Sequence, residues 1–289
     1  MVHPVASDTS EVRQLLSAKW FESELAQLSD DVGRSFPDVQ AEAAGYLREL
    51  ASSNGTSVAQ AWNRLGRWLL RAYQLALDEQ QLTQLRELDR EHSLIFLPSH
   101  RSYLDAWIPS LALTSRGVSP TFSFIGANLD FFPFGPLARR AGNIFVRRST
   151  KDLPIYRFTL RAFIGQLVHN RANLGWSIEG GRTRTGKLRP PKYGILRYVI
   201  DAVEAVPGPE VLVIPVSIVY DQLHEVPMMA SELRGAAKRG EDLRWLINFA
   251  RQQSKPLGHV HFDLGEPLPL RQRIAELRAR DSARTVERV

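Results

Sequence analysis

From residue 93 onward, short apolar runs alternate with stretches whose apolar residues recur at helical spacing. The runs are SLIFL (93–97), TFSFI (121–125), NIFV (143–146), LGWSI (174–178), VLVIPVSIV (211–219) and HVHFDLG (259–265). Buried strands of a parallel sheet read as continuous apolar runs, and helices return the chain between them. The alternation therefore predicts an α/β fold over residues 86–270, with a mixed, largely parallel sheet flanked by helices.

Residues 1–85 carry helical spacing and few strand signals, which predicts a small N-terminal helical region before the α/β domain. Helical segments are expected at 12–28, 38–51 and 57–77. The third segment has two faces, an apolar one with Trp62, Leu65, Leu69 and Ala76 and a basic one with Arg64, Arg67 and Arg71. Core packing under a solvated basic face explains this pattern, and an interfacial helix resting on anionic lipid is the alternative. Residues 271–289 predict a charged C-terminal helix or tail.

Composition excludes several classes of function. The chain of 289 residues has no cysteine, which rules out disulfides, thiolate catalysis and cysteine-containing zinc sites. No basic start followed by an apolar run marks a secretory signal, and no window approaches the roughly 20 apolar residues of a membrane-spanning helix. We therefore expect a cytosolic protein that does not span a bilayer. A net charge of +6 is compatible with an anionic substrate, an anionic membrane or nucleic acid.

The stretch LIFLPSHRSYLDAWIP places His100 and Asp105 just after a predicted buried strand. Ligands of open α/β sheets collect where strands end and helices begin. A carboxylate five residues further on can reach one ring nitrogen of the histidine and leave the other nitrogen as a general base. A turn histidine beside an exposed helix charge is the structural alternative. A zinc site needs further ligands, and the neighbours Arg101, Ser102 and Tyr103 do not supply them.

A basic loop follows the predicted strand 174–178 in SIEGGRTRTGKLRPPKYG. Its cations are Arg182, Arg184, Lys187, Arg189 and Lys192. Gly180 and Gly181 let the backbone approach a ligand, and N–H groups beside arginines suit a phosphate. The pattern G-x4-G-K is nearly a P-loop, but Leu188 stands where the magnesium-binding hydroxyl belongs and two prolines prevent the helix that should follow. A solvated basic loop is the alternative.

Two further segments could contribute to a site. Arg147 and Arg148 end the strand NIFV, where a ligand would lie, although paired arginines also occur at solvated strand ends. Phe131, Phe132 and Phe134, the apolar lip, could line an acyl chain or contact a membrane, or could belong to the core. Serine hydrolysis is poorly supported because no G-x-S-x-G motif occurs.

Taken in order, four blocks resemble those of the glycerol-3-phosphate acyltransferase family: LIFLPSHRSYLD, GNIFVRR, IEGGRTRTGK and VLVIPVSIVYDQLHEV. The resemblance is nearest to the bacterial membrane-associated enzymes that begin phospholipid synthesis. It covers roughly residues 90–225, and the EGGR block with its PPKYG continuation is highly specific. Many bacterial members are considerably longer than this chain, with large regions on both sides of the shared core.

The resemblance implies roles for individual residues. The H-x4-D pair is catalytic in that family, which assigns catalysis to His100 and Asp105. Binding of glycerol 3-phosphate is implied for Arg147, Arg148, Glu179, Gly180, Gly181 and Arg182, and shaping of the acyl-donor site for Pro215. No metal or organic cofactor is implied.

The expected reaction is direct transfer of a fatty acyl group from acyl-CoA or acyl carrier protein to a hydroxyl of glycerol 3-phosphate, which gives lysophosphatidate. His100 would remove the hydroxyl proton, Asp105 would hold the ring, and backbone N–H groups would meet the oxyanion. Expected partners are these substrates and an anionic membrane surface on the cytoplasmic side of the cell membrane, bound peripherally, and no nucleic acid. Acylation of 1-acylglycerol 3-phosphate or dihydroxyacetone phosphate is the nearest alternative. A nucleotide-binding protein and a non-catalytic basic membrane-surface protein are alternatives from other classes.

Overall fold

The computed structural model describes residues 9–53, 55–183, 187–223, 225–226, 229–230, 234, 243–253 and 255–286. Its helices are α1 (Ser10–Leu16), α2 (Lys19–Asp31), α3 (Phe36–Leu50), α4 (Thr56–Leu69), α5 (Glu79–Glu91), α6 (Ile108–Leu113), α7 (Phe134–Arg140), α8 (Pro154–His169), α9 (Gly194–Ala205), α10 (Leu243–Gln252) and α11 (Leu270–Val286). Its strands are β1 (Gln74–Leu77), β2 (Ser93–Pro98), β3 (Thr121–Gly126), β4 (Asn143–Val146), β5 (Asn173–Gly175), β6 (Val211–Tyr220), β7 (His259–Leu264) and β8 (Leu268–Pro269).

The strands form one sheet in the order β1-β7-β6-β2-β5-β3-β4, and β8 pairs with β6. Strands β6, β2, β5, β3 and β4 are parallel to their neighbours in this series. Strands β7 and β8 run antiparallel to β6, and β1 is parallel to β7. The predicted α/β fold, with a mixed and largely parallel sheet flanked by helices, is confirmed.

Each face of the sheet carries its own apolar core. In β2, Leu94 and Phe96 enter one core and Ile95 enters the other, as the two-residue period of a strand requires. Helices α4, α5, α6, α7 and α10 cover the first face, called here the α4 face. Helices α1, α2, α3, α8 and α9 cover the second, the α8 face. Because β2, β4 and β5 are largely buried on both sides, they are recognisable in the sequence as apolar runs.

The helix predicted over 57–77 is wrong at its carboxyl end. Helix α4 ends at Leu69, and Gln74–Leu77 forms β1, which pairs with β7 at the edge of the sheet. An apolar run such as LLRAYQLAL fits helix and strand equally well, so periodicity alone does not separate them. Pairing with β7 satisfies the backbone groups of this segment, and Ala76 therefore lies in a strand rather than on a helix with Trp62.

The N-terminal helices pack directly on the sheet domain. Val12 of α1, Leu25 of α2 and Leu47 of α3 belong to the core of the α8 face, together with Phe163 of α8. Helix α5 runs through residue 85, where the boundary between the two regions is predicted. The division of the chain at that point stays a prediction.

Candidate active site

The carboxyl ends of the parallel strands meet at one edge of the sheet, and this edge collects the predicted site residues. His100 follows β2, Glu179 follows β5, and Arg147 follows β4. In the order of the sheet β5 lies directly beside β2, whereas β4 lies three strands from β2. At about 4.8 Å for each strand spacing, the β4 end is roughly 14 Å from the β2 end.

His100 and Asp105 form a pair within a tight turn. Nδ1 of His100 lies 3.0 Å from Oδ2 of Asp105, and the backbone N–H groups of Arg101 and Ser102 donate to the same oxygen at 2.6 and 2.8 Å. The segment between His100 and α6 forms a 3-10 turn, Tyr103–Ala106, with Ser102 at its N-cap. The carboxylate therefore caps the turn and orients the imidazole at the same time.

The hydrogen bonds fix which nitrogen of His100 carries the proton. An ionised carboxylate accepts hydrogen bonds only, so Asp105 places the proton of neutral His100 on Nδ1. Nε2 then holds the lone pair and is available to take a proton. The side chain of His100 is 30% exposed while that of Asp105 is 5% exposed. The imidazole is therefore accessible to solvent, whereas the carboxylate that holds it is buried.

Two side chains from the end of β6 and the segment after it form hydrogen bonds with this turn. Tyr220, at the end of β6, donates its hydroxyl to Oδ1 of Asp105 at 2.5 Å. Glu225 accepts the hydroxyl of Ser102 at 2.5 Å and the N–H of Tyr103 at 3.0 Å. Burial, and then the charge of Asp105, raises the pKa of Tyr220 well above its ordinary value. Burial likewise raises the pKa of Glu225, against the hydrogen bonds from the turn.

Glu179 links the basic loop to the histidine. It is 4% exposed, and its two carboxylate oxygens accept the N–H of His100 at 3.2 Å and the N–H of Arg189 at 3.0 Å. The N–H of Thr183 also donates to the carbonyl of His100 at 2.9 Å. The EGGR segment thus lies against the backbone of His100, and both carboxylate oxygens of Glu179 bind backbone N–H groups of the protein itself.

The two glycines of the loop are required by close contacts. Gly180 has a φ of +61°, and a Cβ there would lie 2.6 Å from Cδ of Lys192. A Cβ on Gly181 would lie 2.8 Å from Nη1 of Arg189. The small residues therefore let two exposed cations fold over the loop.

Arg182 lies beside the histidine turn. Its guanidinium carbon is 4.6 Å from the ring centroid of Tyr103. Nη1 of Arg182 is buried and has no hydrogen-bond partner among the residues that the structure describes. A buried guanidinium donor left open beside a general base is suited to an anionic ligand. Arg184, named above with the cations of this loop, lies outside the described residues.

The two arginines after β4 differ in their surroundings. Arg147 forms a bidentate ion pair with Glu49 of α3, at 2.8 and 2.6 Å, and stacks against Tyr46 and Tyr156. The hydrogen bonds that Arg147 donates to the Glu49 carboxylate raise the pKa of Arg147. Arg148 is exposed, lies near Gly126 at the end of β3, and has no ion pair within the described part of the chain. Of the pair, Arg148 is the one whose guanidinium is open to a ligand.

Pro215 lies in the middle of β6, opposite Leu97 of β2. Its carbonyl accepts the N–H of Gly265 at 2.8 Å, on the side of β6 where the partner strand changes from β8 to β7. In a strand the N–H and C=O of one residue point to the same side. The N–H group that Pro215 lacks would therefore point to the place where the pairing of β6 changes from β8 to β7. The fold therefore tolerates a proline inside the sheet.

An apolar pocket opens on the α4 face next to the histidine turn. It is lined by Trp62, Tyr103, Ala106, Trp107, Ile125, Leu129, Phe131, Phe134 and Phe249. The turn that carries Asp105 supplies Tyr103 and Ala106. Of the apolar lip, Phe131 lines the pocket, Phe134 is buried within it, and Phe132 is 75% exposed beside it. A single turn thus joins the imidazole to an apolar cavity.

Comparison with known proteins supplies the family. A family model described as Acyltransferase matches residues 79–219, and the model of the glycerol-3-phosphate acyltransferase C-terminal region matches residues 229–288. The proteins named plsB1 from Mycobacterium bovis and Mycobacterium tuberculosis, described as candidate acyltransferases, are 57% identical over 276 residues. The chain belongs to the glycerol-3-phosphate acyltransferase family.

The match covers nearly all of this acyltransferase-family chain but less than half of its relatives. The aligned region is 96% of this chain and 44% of each of the two mycobacterial proteins. The crystal structure of the 1-acyl-sn-glycerophosphate acyltransferase PlsC from Thermotoga maritima aligns with a TM-score of 0.46 and 14% identity. That alignment covers 90% of this chain and 86% of the other. No helix of the described residues is both long and apolar enough to cross a membrane.

The structure brings together most of the residues that the sequence singled out. His100, Asp105, Glu179, Gly180, Gly181 and Arg182 lie around one turn, whereas Arg147, Arg148 and Pro215 lie further along the same sheet. Sequence reasoning missed Tyr220 and Glu225. The alternation of β6, which buries Val216, Ile218 and Tyr220, puts a hydroxyl at the end of an apolar stripe and is the signal that could have identified Tyr220.

Proposed function

We propose that the chain transfers a fatty acyl group from an acyl thioester, acyl-CoA or acyl carrier protein, to a hydroxyl of glycerol 3-phosphate, giving lysophosphatidate. The observation that carries the proposal is the position of Nε2 of His100. This nitrogen is the unprotonated one of the neutral ring that Asp105 holds at 3.0 Å. The turn that carries the pair also lines an apolar pocket, and Arg182 lies beside this turn with a buried Nη1 that has no partner among the described residues. A base, an anion-binding group and an apolar pocket are the three parts that this reaction needs.

In the proposed mechanism Nε2 of His100 takes the proton of the acceptor hydroxyl as its oxygen attacks the thioester carbonyl. The carbonyl becomes a tetrahedral oxyanion, which collapses with departure of the thiolate, and the imidazolium returns a proton to that sulfur. Asp105 offsets the charge of the imidazolium while it exists. Because the acyl group passes directly to the hydroxyl, the proposed reaction forms no covalent acyl-enzyme, and no step of it is assigned to a metal or an organic cofactor.

Arg182 is proposed to orient the acceptor by its phosphate. Its guanidinium carbon lies 4.6 Å from the ring centroid of Tyr103, and Nη1 is a buried donor without a partner among the described residues. Arg148 could meet the phosphate from the neighbouring strand ends, whereas Arg147 would first have to leave Glu49. Planar donors bind phosphate with defined geometry, and fixing the acceptor in this way lowers the entropic part of the barrier.

The acyl chain is proposed to occupy the apolar pocket. Its wall begins at Tyr103 and Ala106, on either side of Asp105, so a thioester carbonyl near His100 would direct its chain into the cavity. Burial of methylene groups contributes about 0.8 kcal/mol each, which favours a long acyl group over acetate.

The same face is proposed to rest on an anionic membrane on the cytoplasmic side. Arg64, Arg67 and Trp68 are exposed on α4, and Phe132 is exposed beside the pocket that receives the chain. Basic and aromatic side chains together suit the interface of an anionic bilayer, where the acyl donor and the product partition.

A thiol-release assay with palmitoyl-CoA tests the reaction. Wild-type chain and His100→Ala are compared with glycerol 3-phosphate, 1-acylglycerol 3-phosphate and dihydroxyacetone phosphate as acceptors. Loss of a general base lowers kcat by about 10²–10⁴-fold, so His100→Ala should be inactive while its circular dichroism is unchanged. His169→Ala is the matched control because His169 is exposed at the end of α8, on the other face of the sheet.

The acceptor series separates the alternatives. Highest kcat/KM with glycerol 3-phosphate supports the proposal, and preference for 1-acylglycerol 3-phosphate or dihydroxyacetone phosphate would reassign the acceptor within the same chemistry. Equal activity of His100→Ala and wild type would remove His100 as the base. Absence of thiol release with every acceptor, together with binding to anionic vesicles, would favour a non-catalytic membrane-surface protein.

A further inference from the structure

In the described part of the chain, four hydrogen-bond donors surround Asp105, and one of them comes from a distant strand. Its Oδ2 accepts from Nδ1 of His100 and from two backbone N–H groups of its own turn. Its Oδ1 accepts the hydroxyl of Tyr220, at 2.5 Å, across 115 positions of sequence. The turn therefore satisfies one carboxylate oxygen and leaves the other to β6.

We infer that Tyr220 is a positioning residue for the proposed acyl transfer, which sets the orientation and the effective charge of Asp105 and, through it, the proton affinity of His100. Tyr220 does not reach the reacting atoms in this arrangement, because Asp105 stands between it and the imidazole. The inference rests on the proposed function for its kinetic consequence, but its structural consequence can be measured on the free protein.

The environment of Tyr220 is suited to a permanent, uncharged donor. The residue is 8% exposed, and its ring packs edge-on against Tyr73 with centroids 5.3 Å apart. Because burial raises the pKa of the phenol, the hydroxyl keeps its proton over the whole range in which a histidine titrates. A neutral donor draws charge from Asp105 without neutralising it, so the carboxylate stays able to hold an imidazolium.

Other charged or titratable groups face the same turn. They are Arg101, Glu179, Arg182 and Glu225, which approach from the turn itself, from the loop after β5 and from the segment after β6. Removal of the Tyr220 hydroxyl changes none of these charges. A shift in the titration of His100 in Tyr220→Phe therefore reports the bond to Asp105.

Tyr220→Phe keeps the ring and removes the hydroxyl. With the charge of Asp105 less compensated, the imidazolium of His100 is held more strongly, so the pH at which its ring resonances titrate should rise by about one unit. The downfield Nδ1 proton of His100 should shift in the NMR spectrum. The acid limb of kcat/KM should move to higher pH with the imidazole, kcat should fall about tenfold, and both KM values should stay within about twofold.

Tyr73→Phe is the matched control. Tyr73 is a buried neighbour of the same ring, and its hydroxyl donates to the backbone carbonyl of Gln222 at 2.8 Å rather than to Asp105. It should lose stability without moving the His100 titration. If Tyr220→Phe does not fold, 3-fluorotyrosine at position 220 keeps the ring and strengthens the donor, and it should lower the titration midpoint of His100.

The outcomes separate this inference from the proposed function. An unchanged His100 titration in Tyr220→Phe, or in the fluorinated protein if that is the variant that folds, would overturn the inference. A wild type that releases no thiol with glycerol 3-phosphate, yet shows the titration shift in Tyr220→Phe, would reject the proposed acceptor and support the role of Tyr220.

Discussion

The guanidinium of Arg147 forms two parallel hydrogen bonds with the carboxylate of Glu49, from Nε at 2.8 Å and from Nη2 at 2.6 Å. This pair ties the end of β4 to α3, and the rings of Tyr46 and Tyr156 lie against the guanidinium. Arg148, the next residue, is exposed and near the end of β3. Two adjacent arginines therefore have different surroundings, one joined to the N-terminal helices and one open to a ligand.

The two arginines should separate stability from substrate binding. Arg147→Ala loses a partly exposed ion pair and ring stacking, so the free energy of unfolding should fall by about 1–2 kcal/mol. Arg148→Ala should leave stability within about 0.5 kcal/mol and raise the KM for glycerol 3-phosphate about tenfold. Urea unfolding and acceptor titration measure both variants. A raised KM in Arg147→Ala at unchanged stability would show that Arg147 leaves Glu49 to bind phosphate.

Arg182 should require the shape of its guanidinium as well as its charge. Arg182→Lys keeps the positive charge but loses the planar donors and the stacking on Tyr103, so the KM for glycerol 3-phosphate should rise about tenfold. Arg182→Ala should raise it about a hundredfold, with a smaller change in kcat. Arg197→Ala, an exposed cation of α9, is the control and should keep the wild-type KM. Equal KM values in wild type and both Arg182 variants would place the phosphate elsewhere.

Ile125 offers a way to alter the apolar pocket without touching the histidine turn. It lies on β3 and lines the pocket. Ile125→Phe adds volume to the cavity and should raise the KM for palmitoyl-CoA while leaving the KM for the acceptor unchanged, with relatively better use of shorter acyl-CoA. Ile125→Val removes one methylene and is the control, because it leaves the cavity open. An acyl-length profile identical in all three proteins would mean that the chain lies outside this pocket.

The buried carboxyl group of Glu225 should make the free energy of unfolding decrease as pH rises. Burial raises its pKa above the ordinary 4.5, so the folded chain keeps a proton that the unfolded chain releases. The stability contributed by that proton is complete below pH 4.5 and is lost as pH climbs from there through the raised pKa. Glutamine cannot titrate, so Glu225→Gln should gain stability relative to wild type between pH 5 and pH 8.

Urea unfolding at several pH values measures this difference. Ser102→Ala provides an internal check on the sign. The hydrogen bond from Ser102 lowers the pKa of Glu225, so its loss should extend the pH-dependent fall to higher pH. A constant difference between wild type and Glu225→Gln across the series would mean that Glu225 stays ionised in the folded chain.

The sequence predicts what is local and misses what depends on the order of the strands. Strands β2, β3, β4, β6 and β7 were expected within one residue of their observed ends, because each contains a short apolar run. His100 and Asp105 lie within one turn, so their five-residue spacing in the sequence is enough to predict that the two side chains meet. Strand β1 was missed because its pairing with β7 joins residues far apart in the chain.

The same reason explains why part of the site was missed. Tyr220 and Glu225 reach the turn of Asp105 only because β6 is the sheet neighbour of β2, a relation set by topology. Arg147 and Glu49 meet across 98 positions, so no local pattern marks the ion pair that occupies this arginine.

Helix α4 and the apolar lip should bind anionic membranes. The double variant Arg64→Glu, Arg67→Glu removes exposed cations of the α4 face, and each cation near an anionic surface is worth about 1 kcal/mol, or about fivefold in affinity. In sedimentation with phosphatidylglycerol vesicles, this variant should therefore bind more than twentyfold more weakly than wild type. Phe132→Ser should lose less affinity, and the loss should not depend on salt because only an apolar contact is removed. Arg157→Glu, Arg197→Glu changes two exposed cations of α8 and α9 on the opposite face and is matched in charge. Because both double variants alter net charge equally, equal loss of binding would show that total charge, and not the α4 face, governs attachment.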